Sequence, residues 1–375
     1  MITIPKPRKI AVLRANALGD YIFVLPALQA LKDKFPQAEI VLLGRKWHSE
    51  YLTNRPGPVD RVVVVPPYPG ISEREGFIPD DEVLNRFFSE MQKEEFDMAF
   101  QLHGGGKNSN PFLLRLGAIL NVGLKTPDAA ELDISVPYVY YFSEVLRYVE
   151  VVARVGAKPK SIEPEIAPIE QDLREARKVL GENDKPIAVI HPGASDLRRH
   201  WPAERFARIA DLMVDKGYLV CVTGMPFEKT VVDRLLSHSK HRKSLLNLCG
   251  RLSLNGMTGL LSMAGILISN DTGPLHLARA LKIPTVGIYW CGNIITGLPM
   301  STAIHRSLLS FKIDCPLCGL SSKKFGTNSD NGSCRHETSF VSDVSTDEVA
   351  DAVEELVALA SKKEIRINSS QSEAA

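Results

Sequence analysis

The chain reads as an α/β protein of two Rossmann-like, doubly wound domains facing across a cleft, and three observations predict this. Apolar strand patterns alternate with helical ones from residue 9 to residue 120, a proline-rich passage interrupts them near residue 160, and the alternation restarts at residue 187. At 375 residues the chain is also long for one core, and domains of roughly 150 to 180 residues are the natural division. We therefore divide it into an N-terminal domain over 1–165, a C-terminal domain over 166–362 and a polar tail, 363–375, expected to be disordered.

Taken in order, residues 9–13 form a short apolar strand, 14–20 a loop, 21–35 a helix and 40–43 the strand that closes a βαβ unit. Strands at 62–65 and 98–102 and helices at 81–93 and 110–120 extend the parallel sheet. A helix over 141–155 runs into the linker, whose prolines at 159, 164 and 168 prevent regular structure, and a helix at 170–180 sits by the hinge. The second half carries strands at 187–191, 219–223, 265–269 and 285–289, with a buried segment at 245–249. Its helices are expected at 203–216, 228–237, 254–263 and 274–281, and the last is amphipathic over 345–360. Ligands of such sheets bind beyond the carboxyl ends of the strands, which directs attention to loops 14–20, 191–201, 224–228 and 270–276.

Composition narrows the function. With 45 basic against 44 acidic residues the chain lacks the electrostatic footprint of a nucleic-acid binder. No apolar run reaches the roughly 20 residues needed to span a bilayer, and residues 1–15 do not read as a signal peptide, so a soluble intracellular protein is expected. Cys221, Cys249 and Cys291 lie singly in or beside apolar segments and read as buried thiols. The absence of GxGxxG after the first strand disfavours a dehydrogenase.

The turn Asn270-Asp271-Thr272-Gly273 joins a strand to a helix whose first amides and positive dipole end suit a phosphate. Pro274 fits the first helical turn, and His276 stands within reach of whatever those amides hold. The bland alternative is an ordinary capped helix. Elsewhere, Asp20 reads as a carboxylate at a strand-end loop or as a cap for the helix after it. Arg198 and Arg199 read as cations for an anion or as a solvated turn, with Ser195 and the amides near Gly193 as further donors. Glu228 reads as a carboxylate after a Gly/Pro turn or as an exposed helix start, and His103 before three glycines as a site residue or a strand-end cap. A carboxylate in one half, with cations, a carboxylate and amides in the other, is the inventory for moving a group off a diphosphate.

These residues stand in runs that together resemble glycosyltransferase family 9, the heptosyltransferase-like enzymes of GT-B architecture, over most of residues 8–290. The runs are Arg14 to Asp20 with Leu25-Pro26-Ala27-Leu28, His191-Pro192-Gly193-Ala194 followed by Arg199-His200-Trp201-Pro202, Gly224 to Glu228, and Asn270 to His276. The resemblance implies an inverting, metal-independent transfer of a sugar, heptose from ADP-heptose in the first instance, to a hydroxyl of a lipopolysaccharide or other glycan acceptor. No cofactor is required for catalysis, and the partners are the nucleotide-sugar donor and a glycan or glycolipid. The acceptor falls to the N-terminal domain and the donor to the C-terminal one.

By motif, Asp20 becomes the general base and Arg199 the diphosphate cation. Ser195, Glu228, Asp271, Thr272, Gly273 and His276 become donor-binding residues, with Glu228 on the ribose. A cytoplasmic place at the inner face of the cytoplasmic membrane follows, with peripheral membrane contact left open. A sugar-nucleotide epimerase and a non-catalytic sugar-nucleotide sensor are the competing readings on the same architecture. Two stretches depart from the family's usual pattern: the start of the first loop, Arg14-Ala15-Asn16, and Tyr289 to Ile295, where a small GlyProThr-type turn is usual.

One cluster stands outside this scheme. Cys315, Cys318, Cys334 and His336 offer four soft or borderline ligands in a Gly/Ser/Lys-rich insertion. A structural zinc, a redox or labile disulfide pair and ordinary thiols are the three readings; the last carries most weight, and catalysis is expected not to need the cluster.

Overall fold

A computed structural model describes residues 6–320 and 336–372, the last part of this (361–372) for its backbone alone. The chain divides into two compact units, one ending at Ala167 and the other beginning at Pro168.

The first unit runs β1 (Lys9–Leu13), α1 (Leu18–Lys34), β2 (Glu39–Gly44), α2 (Lys46–Leu52), β3 (Arg61–Val64) and α3 (Asp81–Gln92). It continues with β4 (Met98–Gln101), α4 (Ser109–Leu114), β5 (Leu120–Lys125), β6 (Ile134–Pro137) and α5 (Glu144–Ala153). All pairings in its six-stranded sheet are parallel, in the order β3-β2-β1-β4-β5-β6. Alternate residues of one strand face opposite sides. Ile10 and Val12 therefore pack with α1 and α5, while Ala11 and Leu13 pack with α3 and α4. Central strands buried on both faces must be apolar throughout, which is why β1 and β2 read as continuous hydrophobic runs.

The second unit begins with α6 (Glu170–Leu180) and repeats the plan through β7 (Ile187–His191), α7 (Ala203–Asp215), β8 (Leu219–Val222), α8 (Lys229–His238), β9 (Leu245–Asn247) and α9 (Leu254–Ser262). It ends with β10 (Ile266–Asn270), α10 (Gly273–Ala280), β11 (Thr285–Trp290), α11 (Cys291–Gly297), β12 (His305–Ser310) and α12 (Thr346–Ser372). Its sheet, again all parallel, runs β12-β11-β10-β7-β8-β9. In both units the first strand lies beside the fourth, so the strand order reverses there. Each reversal leaves a crevice beyond the carboxyl ends of those two strands. The loops after β1 and β4 meet at one crevice, and those after β7 and β10 at the other.

Several expectations are corrected. The helix predicted over 110–120 ends at Leu114, because Gly117 turns the chain at φ 74° and Leu120 opens a strand. Helices α2 and α11 and strands β5, β6 and β12 have no counterpart among the expected elements. The tail expected to be disordered from 363 is helical to Ser372, since no glycine or proline interrupts 346–372 and extending a helix costs far less than nucleating one. Cys221 is buried, but Cys249 and Cys291 are only half-buried. Among the described residues no helix is long and apolar enough to cross a membrane.

Candidate functional site

Helix α1 starts three residues earlier than predicted, at Leu18, which makes Asp20 part of its first turn rather than the residue before it. Its Oδ2 accepts the Ala17 N–H at 3.2 Å, a favourable arrangement at the positive end of a helix. Its Oδ1 pairs with Arg14 Nη2 at 2.9 Å. The Arg14 side chain is 2% exposed and spends its other donors on carbonyls, Nε on Asp20 O at 3.1 Å and Nη1 on Leu102 O at 2.8 Å. Its guanidinium carbon lies 4.7 Å from the Tyr148 ring centre, and Nη2 lies 3.7 Å from Glu144 Oε2. Burial alone would lower its pKa, but Tyr148, Asp20 and Glu144 together hold it above its ordinary value. Glu144 in turn takes hydrogen bonds from Arg147 and from the Tyr148 hydroxyl. Burial pushes the Tyr148 phenol well up, which keeps that donor protonated.

Asp20 thus keeps a fixed orientation while its side chain remains about a third exposed (36%). Each oxygen has one known partner and retains a lone pair for another. His103 has a different part. Its Nδ1 accepts the Ala15 N–H at 3.2 Å, so Nε2 carries the proton toward Gly70 O, also at 3.2 Å. Burial, then the nearby Arg14 charge, lowers its pKa to about 3. The imidazole is a neutral staple between loops, which settles it as a strand-end residue.

In the second unit the structure brings Ser195, Arg199, Asp271, Thr272, Gly273 and His276 together. Asp271 is buried after β10. Its Oδ1 takes His276 Nε2–H at 3.1 Å and its Oδ2 takes Asn293 Nδ2–H at 2.7 Å, with Arg199 Nη1 3.7 Å from Oδ2. Burial would raise its pKa, yet His276, Asn293 and Arg199 hold it below the usual carboxylate range. Arg279 Nη1 donates to His276 Nδ1 at 3.1 Å, which fixes the tautomer that serves Asp271.

Arg199 donates Nη1 to Asp271 O at 2.8 Å and Nη2 to Ser195 Oγ at 2.9 Å, while its buried Nε has no partner among the described residues. The amides of Thr272 and Gly273 are likewise without a partner among the described residues. Arg198 is spent on Asp196, which it grips through Nε at 2.9 Å and Nη2 at 2.6 Å, and its guanidinium lies over Trp290. The two loops are tied by Asn270, whose side chain accepts the Trp201 N–H at 3.1 Å and donates to Pro192 O at 2.8 Å.

Glu228 is buried rather than exposed. Its Oε2 accepts the Met225 N–H at 2.7 Å and lies 3.7 Å from His191 Nε2. A Cβ at residue 193 would fall 2.1 Å from the Glu228 carboxyl carbon, so Gly193 is what lets that carboxylate sit beneath the loop. Arg14, Glu144, Tyr148, Asn293 and Arg279 were not foreseen as site residues. The signals for them are Arg14, a charge directly after an apolar strand, and the unusual stretch Tyr289 to Ile295, which holds Asn293.

The family model for glycosyltransferase family 9 (heptosyltransferase) matches residues 84–303. The chain belongs to glycosyltransferase family 9. As a family 9 glycosyltransferase it resembles lipooligosaccharide heptosyltransferase 2 of Haemophilus ducreyi, 23% identical over 294 residues, which cover 74% of this chain and 81% of the relative. The structure of Escherichia coli ADP-heptose lps heptosyltransferase II superposes with a TM-score of 0.72 at 18% identity, over 94% of this chain and 99% of that one. Escherichia coli heptosyltransferase WaaC with ADP-2-deoxy-2-fluoro heptose gives 0.60 at 19% identity, over 81% and 93%. These likenesses establish the GT-B fold of the family for this chain. Tyr289 to Ile295, which departs from the family's usual turn, is here the end of β11 and the start of α11, and it delivers Asn293 to Asp271.

The described part of the cysteine cluster belongs to the second unit. The ligand atoms of Cys315, Cys318 and His336 are within 4.8 Å of one another, whereas Cys334 lies outside the described residues.

Proposed function

We propose that the protein transfers a heptose from ADP-heptose or a close nucleotide-sugar relative to a hydroxyl of a lipopolysaccharide or similar glycan acceptor, with inversion and without a catalytic metal. The observation that carries this is the second crevice. The guanidinium of Arg199, from the loop after β7, is held against the turn Asp271 to Gly273, and its buried Nε and the Thr272 and Gly273 amides have no partner among the described residues, a donor set suited to the oxygens of a diphosphate. The names of the relatives, lipopolysaccharide heptosyltransferases, and WaaC's ADP-2-deoxy-2-fluoro heptose support the donor and acceptor classes.

In this reading the acceptor oxygen bonds to the anomeric carbon, its proton passes to Asp20, and the bond to the β-phosphate breaks as ADP leaves. Charge develops on the leaving phosphate, where Arg199 and the Thr272 and Gly273 amides act on the barrier itself. Asp271 and His276 hold that turn, Ser195 orients Arg199, and Glu228 offers a carboxylate to the ribose hydroxyls. The acceptor falls to the first unit and the donor to the second, with the enzyme working at the inner face of the cytoplasmic membrane.

The test is release of nucleoside diphosphate from a panel of ADP-, UDP- and GDP-sugars in the presence of heptose-acceptor core glycans. ADP-heptose should turn over best. Asp20→Asn should lower kcat by about 10²–10⁴-fold with donor affinity retained. Undiminished turnover in that variant would sink the base assignment, and donor binding without release for every acceptor would overturn the transferase reading.

A further inference from the structure

We propose that His191 is a positioning residue for the nucleotide's ribose: with Thr223 behind it, its imidazole keeps the Glu228 carboxylate charged and aimed at the ribose hydroxyls. This rests on the ribose role given to Glu228 above and adds the two residues that set it. His191 is the last residue of β7, and Thr223 is the first after β8. The parallel register pairs Ile190 with Val222, and both pack into the core with α7. One step further along, His191 and Thr223 therefore leave the sheet together on its opposite face. Both are buried, at 3% and 0% exposure.

The contacts of the imidazole give it a direction. Nδ1 lies 3.1 Å from Thr223 Oγ1, and Nε2 lies 3.7 Å from Glu228 Oε2. Burial, opposed by the Glu228 charge, lowers the His191 pKa, so the ring is neutral and carries one proton. A carboxylate facing Nε2 draws that proton to Nε2, because a lone pair there would repel it. Nδ1 is then the acceptor, and the Thr223 hydroxyl donates to it. The other tautomer would turn that hydroxyl to Ile190 O, at 3.3 Å, and set the Nε2 lone pair against the carboxylate. At 3.7 Å the contact with Glu228 is a charge facing an N–H dipole rather than a hydrogen bond.

Glu228 depends on this contact because its side chain is only 6% exposed. A buried carboxylate without donors around it takes up a proton, and a protonated carboxyl can no longer accept from two hydroxyls at once. The Met225 N–H serves Oε2 at 2.7 Å, while Oε1 has no hydrogen-bond partner among the described residues and is left for the ribose. The second crevice thus uses one device twice. His276, with Arg279 on Nδ1 and Asp271 on Nε2, holds the phosphate-side turn. His191, with Thr223 on Nδ1 and Glu228 on Nε2, holds the ribose side.

The experiment is calorimetric titration of the full chain with ADP and with 2′,3′-dideoxy-ADP, which lacks both ribose hydroxyls. The parent should prefer ADP by about 10–100-fold, the scale of hydrogen bonds to a charged group. His191→Leu should lose about tenfold of that preference by weakening ADP alone, and His191→Gln, which restores an N–H at similar reach, should regain most of it. Thr223→Val keeps the shape and removes the hydroxyl, and it should lose about threefold in the same direction. Glu228→Gln should abolish the preference, and adding His191→Leu to it should change nothing further. Equal weakening of both nucleotides in His191→Leu would mean a structural role only and overturn the positioning role. A preference retained in that variant, or in Thr223→Val where His191→Leu does not fold, would overturn it too, with the ribose role of Glu228 left standing. A parent without the preference would instead overturn the ribose role itself, and this inference with it. None of these readings depends on which sugar the enzyme transfers.

Discussion

The two crevices share a topology and invert the sign of what they bury. In the first unit the inner residue is a cation, Arg14 at 2% exposure, and the outer one is the carboxylate of Asp20 at 36%. In the second the inner residue is a carboxylate, Asp271 at 4%, and the outer one is the cation Arg199 at 19%. Each inner charge is wrapped in partners of opposite sign or matching hydrogen bonds, and each holds the outer residue in one orientation. The strand-order reversal supplies the place in both cases, and the buried charge sets the sign of the exposed group that pairs with it. Fold alone does not make that choice.

This contrast predicts a division between outer and inner residues. Removing an outer residue should damage turnover and leave stability nearly intact. Arg199→Ala should lower kcat by about 10²–10³-fold, the scale for losing a preorganised donor at developing charge, with the Tm within a few degrees of the parent. Single-turnover and thermal-shift measurements on the same sample separate the two. A large fall in Tm without a fall in kcat would break the division.

Inner residues should behave the other way. Arg14→Met leaves Glu144 with Arg147 but strips Asp20 of its buried partner, and a cost of about 2–4 kcal/mol is expected for breaking such a pair. Asp271→Asn keeps the shape but turns an amide toward donors from His276 and Asn293, for about 1–3 kcal/mol. Urea denaturation of each variant measures these costs. Equal stability of Arg14→Met and the parent would mean that the first crevice does not depend on its buried cation.

The sequence made the outer residues legible and hid the inner ones. Asp20 and Arg199 stand in local runs that can be read within a few positions, and the turn Asn270 to Gly273 carries its chemistry in order. Arg14 reads as the first residue of a loop because its partners Glu144 and Tyr148 lie on α5, brought near only when α5 packs beside α1 on the same face of the sheet. Asn293 was hidden by a stretch without clear periodicity that folds as α11. Strand β5 was lost for a related reason: the leucine-rich run before it mimics one long helix until Gly117 turns the chain.

The smallest effect expected, over the first pH unit of acidification, is on the pH dependence of the two crevices. His103 is neutral when folded, with a pKa near 3 set by burial and then by Arg14, against about 6.5 in an unfolded chain. Between those values the unfolded state binds the proton and the folded state does not, so stability is full above about pH 6.5 and falls as the pH drops, by at most about 1.4 kcal/mol per pH unit for one such group. Asp271, whose folded pKa is depressed, contributes stability above its unfolded value near 3.9 and loses it only as the pH falls further, through the folded value. Acidification should therefore loosen the contact at Ala15 before it weakens the Asp271 turn, although the buried His191 at the end of β7, whose pKa burial also lowers, makes the base of the second crevice acid-sensitive as well. Hydrogen-exchange protection, corrected for the intrinsic rate at each pH, should decline at Ala15 from about pH 6.5 while that at Asp271 holds to about pH 4. His103→Gln can donate to Gly70 O and accept from Ala15 N–H without titrating, so it should remove the earlier decline. If the decline at Ala15 survives that substitution, the staple is not what makes the first crevice acid-sensitive, and the buried His48, whose pKa burial also lowers to about 3, becomes the group to replace.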